Sequence, residues 1–181
     1  MDRARRRGAV WLFTVAGLVF LLDRLTKVWA ERRLVSDPID VIQGVLTFRF
    51  ATNPGGAFSL GQNAPWFFAT ASIVVSILIV VTAFRHTNVL TAVALGLVLG
   101  GAVGNLTDRL TRGEDFFSGR VVDFIDLQIW PVFNIADAAI VVGAVILAVS
   151  SFVGDRDPAT SGAALGGTAS PAPDGHAVDE R

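Results

Sequence analysis

Four long apolar segments dominate this sequence, and they determine the class of structure that it can form. They predict helices over about residues 10–30, 65–84, 89–108 and 132–153. Each segment has about 20 residues, which is the length that a helix needs to cross roughly 30 Å of hydrocarbon. The sequence therefore predicts a mainly α integral membrane protein with four transmembrane helices.

The four helices belong to one predicted membrane domain, residues 1–154. Residues 155–181 are rich in Ala, Gly, Pro, Ser and Thr, which predicts a disordered cytoplasmic tail. Several arginines precede the first segment, so a cleaved secretory signal stays an alternative, although the apolar run is long and no small-residue cleavage pattern follows it. Arg85 in the short loop and Arg156 in the tail favour both termini in the cytoplasm.

Composition excludes several kinds of chemistry. The chain has no Cys, which excludes disulfides, thiol catalysis and thiolate metal sites. Its two histidines, His86 and His176, are far apart, so we expect neither a metal site nor another cofactor. The formal net charge of −1 gives no indication of a nucleic-acid partner.

Two long connecting segments carry strand signals. Residues 45–50 alternate between apolar and other side chains, which predicts a short strand between helices 1 and 2, and Asn53-Pro54-Gly55-Gly56 then predicts a turn. Residues 121–125 form a second candidate strand. Because backbone at membrane depth needs hydrogen-bond partners, we expect the strands to pair with each other or to rest on the helices.

Polar and ionisable residues gather at one face of the predicted bundle. Helices joined in series alternate in direction, so the end of the first, the end of the third and the start of the fourth lie on the same side. The residues at that side are Asp23, Lys27, Asn53, Gly55, Asn105, Asp108, Arg109, Asp123, Asn134 and Asp137. Ionisable groups within membrane segments cost several kcal/mol and are a default indication of function.

Asp137 and Asp123 are the candidate reacting pair. Asp137 is about five residues into the fourth predicted helix, roughly 8 Å below its start, and Asp123 precedes that helix near the rim. Two carboxylates close together in a low dielectric tend to share a proton, so that one activates water while the other acts as an acid. This chemistry suits peptide hydrolysis. Asp126 is interpreted as a solvated loop carboxylate.

Other functions fit some of the same residues. Ser59 activated by Lys27 would make a serine protease. Asp23, Asp108 and Asp137 could form the relay of a proton- or ion-translocating membrane subunit. Against a relay, the second helix is charge-free and the inner half of the bundle has no ionisable residue. A structural membrane protein is a third alternative, but it leaves the polar cluster unexplained.

A repeat of small residues marks one face of the third helix. Gly96, Gly100 and Gly104 are spaced by four, and small residues at this spacing let helices approach closely in lipid. We interpret Gly96 and Gly100 as helix-packing residues.

Five stretches in order resemble the lipoprotein signal peptidases (signal peptidase II), a family of membrane aspartic endopeptidases. The stretches are Asp23-Arg-Leu-Thr-Lys27, Asn53-Pro-Gly-Gly-Ala-Phe-Ser59, Gly100-Gly-Ala-Val-Gly-Asn-Leu-Thr-Asp-Arg109, Val121-Val-Asp-Phe-Ile-Asp126 and Phe133-Asn-Ile-Ala-Asp137. Where this chain has Pro54, the family pattern usually has a small or polar residue. The resemblance covers essentially the whole predicted membrane domain.

The resemblance implies specific roles and a specific substrate. Asp123 and Asp137 match the catalytic pair, and the other residues of the polar cluster match positions that bind substrate or support the site. The family removes the signal peptide of a diacylglyceryl prolipoprotein, cleaving before the lipidated cysteine, and needs no cofactor. It acts at the outer leaflet of the bacterial inner membrane and has a small extracytoplasmic sheet. We expect a monomer whose partners are this substrate and membrane lipid.

Overall fold

The computed structural model describes residues 2–55, 65–86, 88–113, 117 and 119–154. In chain order these form α1 (Arg3–Arg33), β1 (Ile39–Ile42), β2 (Leu46–Asn53), α2 (Pro65–Thr82), α3 (Val89–Thr111), β3 (Val121–Asp126) and α4 (Ile135–Gly154), and a short 3₁₀ turn (Ala83–Arg85) follows α2. Within these described ranges, four helices are long and apolar enough to cross a membrane. The protein is therefore a multi-pass membrane protein, as the sequence predicts.

Two helix boundaries differ from the prediction. α1 begins at Arg3 and has 31 residues, about 46 Å of helix, so it extends beyond the hydrocarbon at its arginine-rich start. α4 begins only at Ile135, because the chain just before it is extended and Phe133 bridges Ile125 of β3. Asp137 consequently lies in the first turn of α4, and its expected depth of about five residues into the helix is wrong.

α3 is the central helix of the bundle and packs against each of the other three. Its contact with α1 depends on the repeat of small residues. A Cβ atom added to Gly96 would lie 2.6 Å from the Leu12 carbonyl oxygen, and one added to Gly100 would lie 2.6 Å from that of Ala16. The packing interpretation of these two glycines is confirmed.

α2 packs mainly on α3 and leaves a groove on each of its sides. The groove between α2 and α4 holds a cavity of about 450 Å³. The groove between α2 and α1 holds a separate cavity of about 470 Å³. Both grooves stay open because neither α1 nor α4 packs closely against α2.

The strands form one antiparallel sheet in the order β1-β2-β3. Both predicted strands exist, and β2 pairs with β3, with Ala51 opposite Asp123. β1 was not expected, and the sheet includes β3 from the segment between α3 and α4, so it is not confined to the segment between helices 1 and 2. The sheet brings Asp123 next to the start of α4.

An apolar layer fastens the sheet to the end of α1. Trp29 of α1 makes edge-to-face contacts with Phe48 of β2 and Phe124 of β3, with ring centroids 5.9 and 6.1 Å apart. Leu34 and Val122 are almost fully buried in the same cluster. Aromatic pairs of this geometry add to the stabilisation from burial alone. The strand that carries Asp123 therefore rests on a packed support.

Candidate active site

The start of α4 holds Asp137 in a fixed position. Asn134 is the residue before the helix, and its side-chain oxygen accepts a hydrogen bond from the Asp137 N–H at 2.9 Å. Asp137 Oδ2 in turn accepts from the Asn134 N–H at 3.3 Å. This reciprocal pair has the pattern of a capping box, with Asp in the position usually taken by Glu or Gln. The same local sequence that starts the helix thus orients its carboxylate.

Asn134 also contacts the second carboxylate. Its Nδ2 donates to Asp123 Oδ1 at 2.6 Å, and Asp123 is 2% exposed. Burial and the nearby charge of Asp137 raise the pKa of Asp123 to about 7, although hydrogen bonds from Asn134 and Asn53 act in the opposite direction. One amide therefore contacts both carboxyl-bearing residues. Near neutral pH, both the protonated and the ionised form of Asp123 are accessible.

Asn105 of α3 completes the immediate surroundings of Asp137. Its Nδ2 donates to Asp137 Oδ1 at 2.7 Å. Its Oδ1 accepts from Lys27 Nζ at 2.9 Å and from Asn134 Nδ2 at 3.2 Å. The amide orientation of Asn105 is therefore set by a cation on one side and a carboxylate on the other.

Lys27 lies fully buried beneath this layer. Besides Asn105, its Nζ lies 2.9 Å from Asp23 Oδ2 and 2.8 Å from Asp108 Oδ2. An ammonium group has three N–H donors, and three oxygens surround this one. A proton-accepting role toward Ser59 would require Lys27 to leave these partners, and Ser59 itself lies outside the described residues.

The two carboxylates bound by Lys27 also hold the backbone next to the candidate pair. Asp23 Oδ1 accepts from the N–H of Ala136 at 3.2 Å, one residue before Asp137. Asp108 Oδ2 lies 3.4 Å from the N–H of Val122, one residue before Asp123. Lys27 therefore connects the carboxylate that holds the start of α4 to the carboxylate that holds β3. Asp23, Lys27 and Asp108 thus lie where they support the backbone beside the candidate pair.

Two arginines that the sequence did not single out contact Asp108. Arg24 and Arg112 both donate to Asp108 Oδ1, the latter from Nε at 2.6 Å, and Arg112 also pairs with Glu31. Arg112 caps the end of α3 and follows Asp108 by four residues, a spacing at which side chains of a helix are neighbours. The contacts to α1 join residues far apart in sequence, and only the fold reveals them.

Arg109 fixes the loop after β2. It donates to the carbonyl oxygens of Pro54 at 3.2 Å and Gly55 at 2.6 Å, and its guanidinium lies 5.3 Å from the ring centroid of Phe68. Asn53 Oδ1 accepts from the Gly55 N–H at 3.0 Å, which makes the turn. Because Arg109 uses backbone oxygens, the departure from the family pattern at Pro54 leaves this contact intact.

Asp126 is not a solvated loop carboxylate. It ends β3, is 7% exposed, and pairs with Arg49 Nε at 2.5 Å. The hydrogen bond from Arg49 holds the pKa of Asp126 below its usual range. The interpretation was wrong because strand β3 runs one residue further than expected and places Asp126 opposite Thr47.

The cavity between α2 and α4 reaches one carboxylate of the candidate pair, Asp137. Asp137, Asn105 and Arg109 line its polar end. Its walls below come from α2, α3 and α4 and are apolar apart from Ser72: Ala71, Val75, Val98, Ala102, Ile140 and Val141. A peptide carbonyl at the polar end would meet water activated by the carboxylates, while an apolar group would fit between the walls. The geometry suits hydrolysis of a membrane-anchored chain.

Comparisons with known proteins agree with this geometry. The family model for signal peptidase (SPase) II matches residues 15–153. The lipoprotein signal peptidase of Rhodococcus jostii is 40% identical to this chain, over 79% of this chain and 73% of its own length. That of Streptomyces coelicolor is 41% identical, over 84% of this chain and 74% of its own length. A solved structure described as a bacterial membrane enzyme, determined by the in meso method at 2.3 Å resolution, has a TM-score of 0.71 at 28% identity, covering 81% of this chain and 90% of that chain.

Proposed function

The chain belongs to the signal peptidase II family, and we propose that it removes the signal peptide from diacylglyceryl prolipoproteins by cleaving the bond before the lipidated cysteine. It is an aspartic endopeptidase in this proposal, with Asp123 and Asp137 as the catalytic residues. The observation that carries the assignment is the Asn134 side chain, which contacts Asp123 and the backbone of Asp137 at 2.6 and 2.9 Å.

The chemistry needs one proton on the pair. The ionised carboxylate takes a proton from water as the oxygen attacks the scissile carbonyl carbon, and the protonated carboxyl donates to the carbonyl oxygen. When the C–N bond breaks, the nitrogen takes a proton from the pair and a hydroxyl group of the tetrahedral intermediate returns one to it as the C=O bond re-forms, so the pair ends the cycle with one proton. Asn105 and Asn134 hold Asp137 and Asp123 in place throughout, which supplies the preorganisation that such a step requires.

We also propose an orientation in the bacterial inner membrane. The arginine-rich start of α1 and Arg85 lie at the end of the bundle opposite the catalytic pair, which favours that end in the cytoplasm. Both termini are then cytoplasmic and the site faces the extracytoplasmic leaflet. Since one chain supplies the two carboxylates and their supports, a monomer suffices for catalysis.

The proposal is tested by cleavage of a purified diacylglyceryl prolipoprotein. Asp123→Asn and Asp137→Asn should each abolish cleavage while the protein still folds and inserts. Asp40→Asn is the matched control, because Asp40 is an exposed carboxylate on the opposite edge strand of the same sheet. Wild-type rates in either of the first two variants would refute the aspartic assignment. Proton flux in liposomes that disappears in Asp137→Asn would favour the ion-translocating alternative instead.

A further inference from the structure

A second groove runs along the other side of α2, away from the catalytic pair. Phe13, Gly17 and Phe20 of α1 line one wall of its cavity, and Val80 and Val81 of α2 line the other. Its lining residues are apolar or glycine except for Ser76, and none of them lines the cavity that holds Asp137. This groove is therefore a separate feature of the membrane domain.

The groove continues toward the arginine-rich end of α1. A cavity of about 490 Å³ lies there, lined by Arg6, Val10, Phe13 and Phe84, and Phe13 lines both cavities. Arg6, Val10, Phe13, Gly17 and Phe20 succeed one another by four or three residues, so they share one face of α1. The rise from Arg6 to Phe20 is about 21 Å, more than the roughly 15 Å of one leaflet's hydrocarbon.

The charge at this end has one sign. Arg3, Arg5, Arg6 and Arg7 lie within two turns of α1. Among the described residues at this end of the bundle, Asp2 is the carboxylate that accompanies them. A cationic rim above an apolar groove matches an amphiphile with an anionic head and a long hydrocarbon chain, and basic pockets between membrane helices are typical sites for anionic lipid head groups.

We propose that the α1–α2 groove binds one anionic phospholipid, with its phosphate at Arg6 and one acyl chain along Phe13, Gly17 and Phe20. Arg6 lines the cavity itself and presents the forked donors that suit a phosphate group. The acyl chain covers apolar surface that the packing of α2 on α3 leaves open. The site stands apart from the peptidase chemistry, so it holds whichever substrate the catalytic pair acts on.

The chain offers variants that separate this site from diffuse surface charge. Arg6→Gln removes the lining charge, whereas Arg5→Gln removes a neighbouring charge that does not line the cavity. A Cβ atom at Gly17 would meet no protein atom within 4 Å, so this position accepts a side chain, and Gly17→Leu places one in the groove. Leu18→Ala changes an exposed neighbour of Gly17 and serves as its control.

The experiment is native mass spectrometry of the full-length protein after reconstitution in vesicles of equimolar phosphatidylglycerol and phosphatidylcholine. Wild type should retain one phosphatidylglycerol, several-fold more often than phosphatidylcholine. Arg6→Gln and Gly17→Leu should each reduce that retention several-fold, while Arg5→Gln and Leu18→Ala leave it unchanged. Equal retention of the two lipids, full retention in Gly17→Leu, or an equal loss in Arg5→Gln would each overturn the site. Prolipoprotein cleavage is measured in parallel and reports on the peptidase proposal independently.

Discussion

Asn134 performs two functions with one side chain, because its oxygen caps α4 and its nitrogen holds Asp123. We predict that Asn134→Ala lowers kcat about 100-fold or more, since a misplacement of about 1 Å can have that effect. It should also destabilise the protein by about 1 kcal/mol through the lost cap. Asn134→Ser keeps a capping hydroxyl but cannot span to Asp123, so it should recover stability without recovering the rate.

Cleavage assays and thermal unfolding of the two Asn134 variants separate these functions. A serine variant with the wild-type kcat would show that Asn134 acts only as a helix cap. An alanine variant with unchanged kcat would remove Asn134 from the site altogether.

Asp123 makes both activity and stability depend on pH. Its pKa of about 7 in the folded protein, against an ordinary value of 3.8, means that the folded state binds a proton more tightly than the unfolded state does. Stability from this group is therefore fully present below about pH 4, falls as pH rises toward about 7, and is lost above it. Because catalysis needs one proton on the pair, the cleavage rate should also fall above about pH 7.

Asp123→Asn removes the ionisation that opposes folding. The difference in unfolding free energy between this variant and wild type should therefore be more favourable to the variant at about pH 8 than at about pH 4. The change is at most about 4 kcal/mol, since one pKa unit corresponds to 1.36 kcal/mol. Thermal unfolding at the two pH values measures the difference. An equal Tm difference at both pH values would contradict the raised pKa.

At the residue scale, the sequence predicted which side chains lie at the same end of the bundle, but not which atoms they contact. Alternating helix direction was enough to place Asp23, Asn105 and Asp137 at the same end, because that inference needs only helix order. It could not show that Lys27 contacts both Asp23, which supports the start of α4, and Asp108, which supports β3. The contact of Lys27 with Asn105, for example, joins residues 78 positions apart and depends on how α1 and α3 are rotated about their axes.

At the element scale, the apolar pattern identified the helices but misjudged where α1 and α4 begin. Val132 and Phe133 continue the hydrophobic run of α4, yet they are extended beside β3, because tertiary pairing with Ile125 overrides the local pattern. β1 was missed because four residues give too short a pattern, and its pairing with β2 decides its conformation. The strand alternation of β2 was readable because it is longer.

Close packing of α1 on α3 predicts a sharp difference between two glycines. Gly100→Ala would place Cβ 2.6 Å from the Ala16 carbonyl oxygen and force the helices apart, which should destabilise the protein by about 1–3 kcal/mol. Gly17→Ala meets open space and should stabilise α1 by about 0.5–1 kcal/mol through helix propensity. Thermal unfolding in detergent compares them, and equal Tm changes would contradict the packing argument.

At the scale of the whole molecule, the open groove between α2 and α4 predicts lateral entry of substrate from lipid. Ala71 lines that groove, whereas Val74 is an exposed residue of α2 that does not. Ala71→Trp should lower kcat/KM about tenfold or more, a loss of about 1.4 kcal/mol in transition-state binding, and Val74→Trp should not. Assays on lipidated precursor test this, and equal rates in the two variants would exclude the groove as the route.

The attachment of α2 has a consequence for how such an enzyme can diversify. Among the described residues, the hydrogen-bonded and ion-paired contacts around the two carboxylates come from α1, α3, the sheet and α4, and α2 contributes the Phe68 ring beneath Arg109. The reacting groups are therefore held largely without α2, the helix that forms one wall of each groove. Substitutions along α2 can retune which hydrocarbon shapes are accepted, or which inhibitors fit, without altering the catalytic apparatus, so selectivity and chemistry can evolve separately.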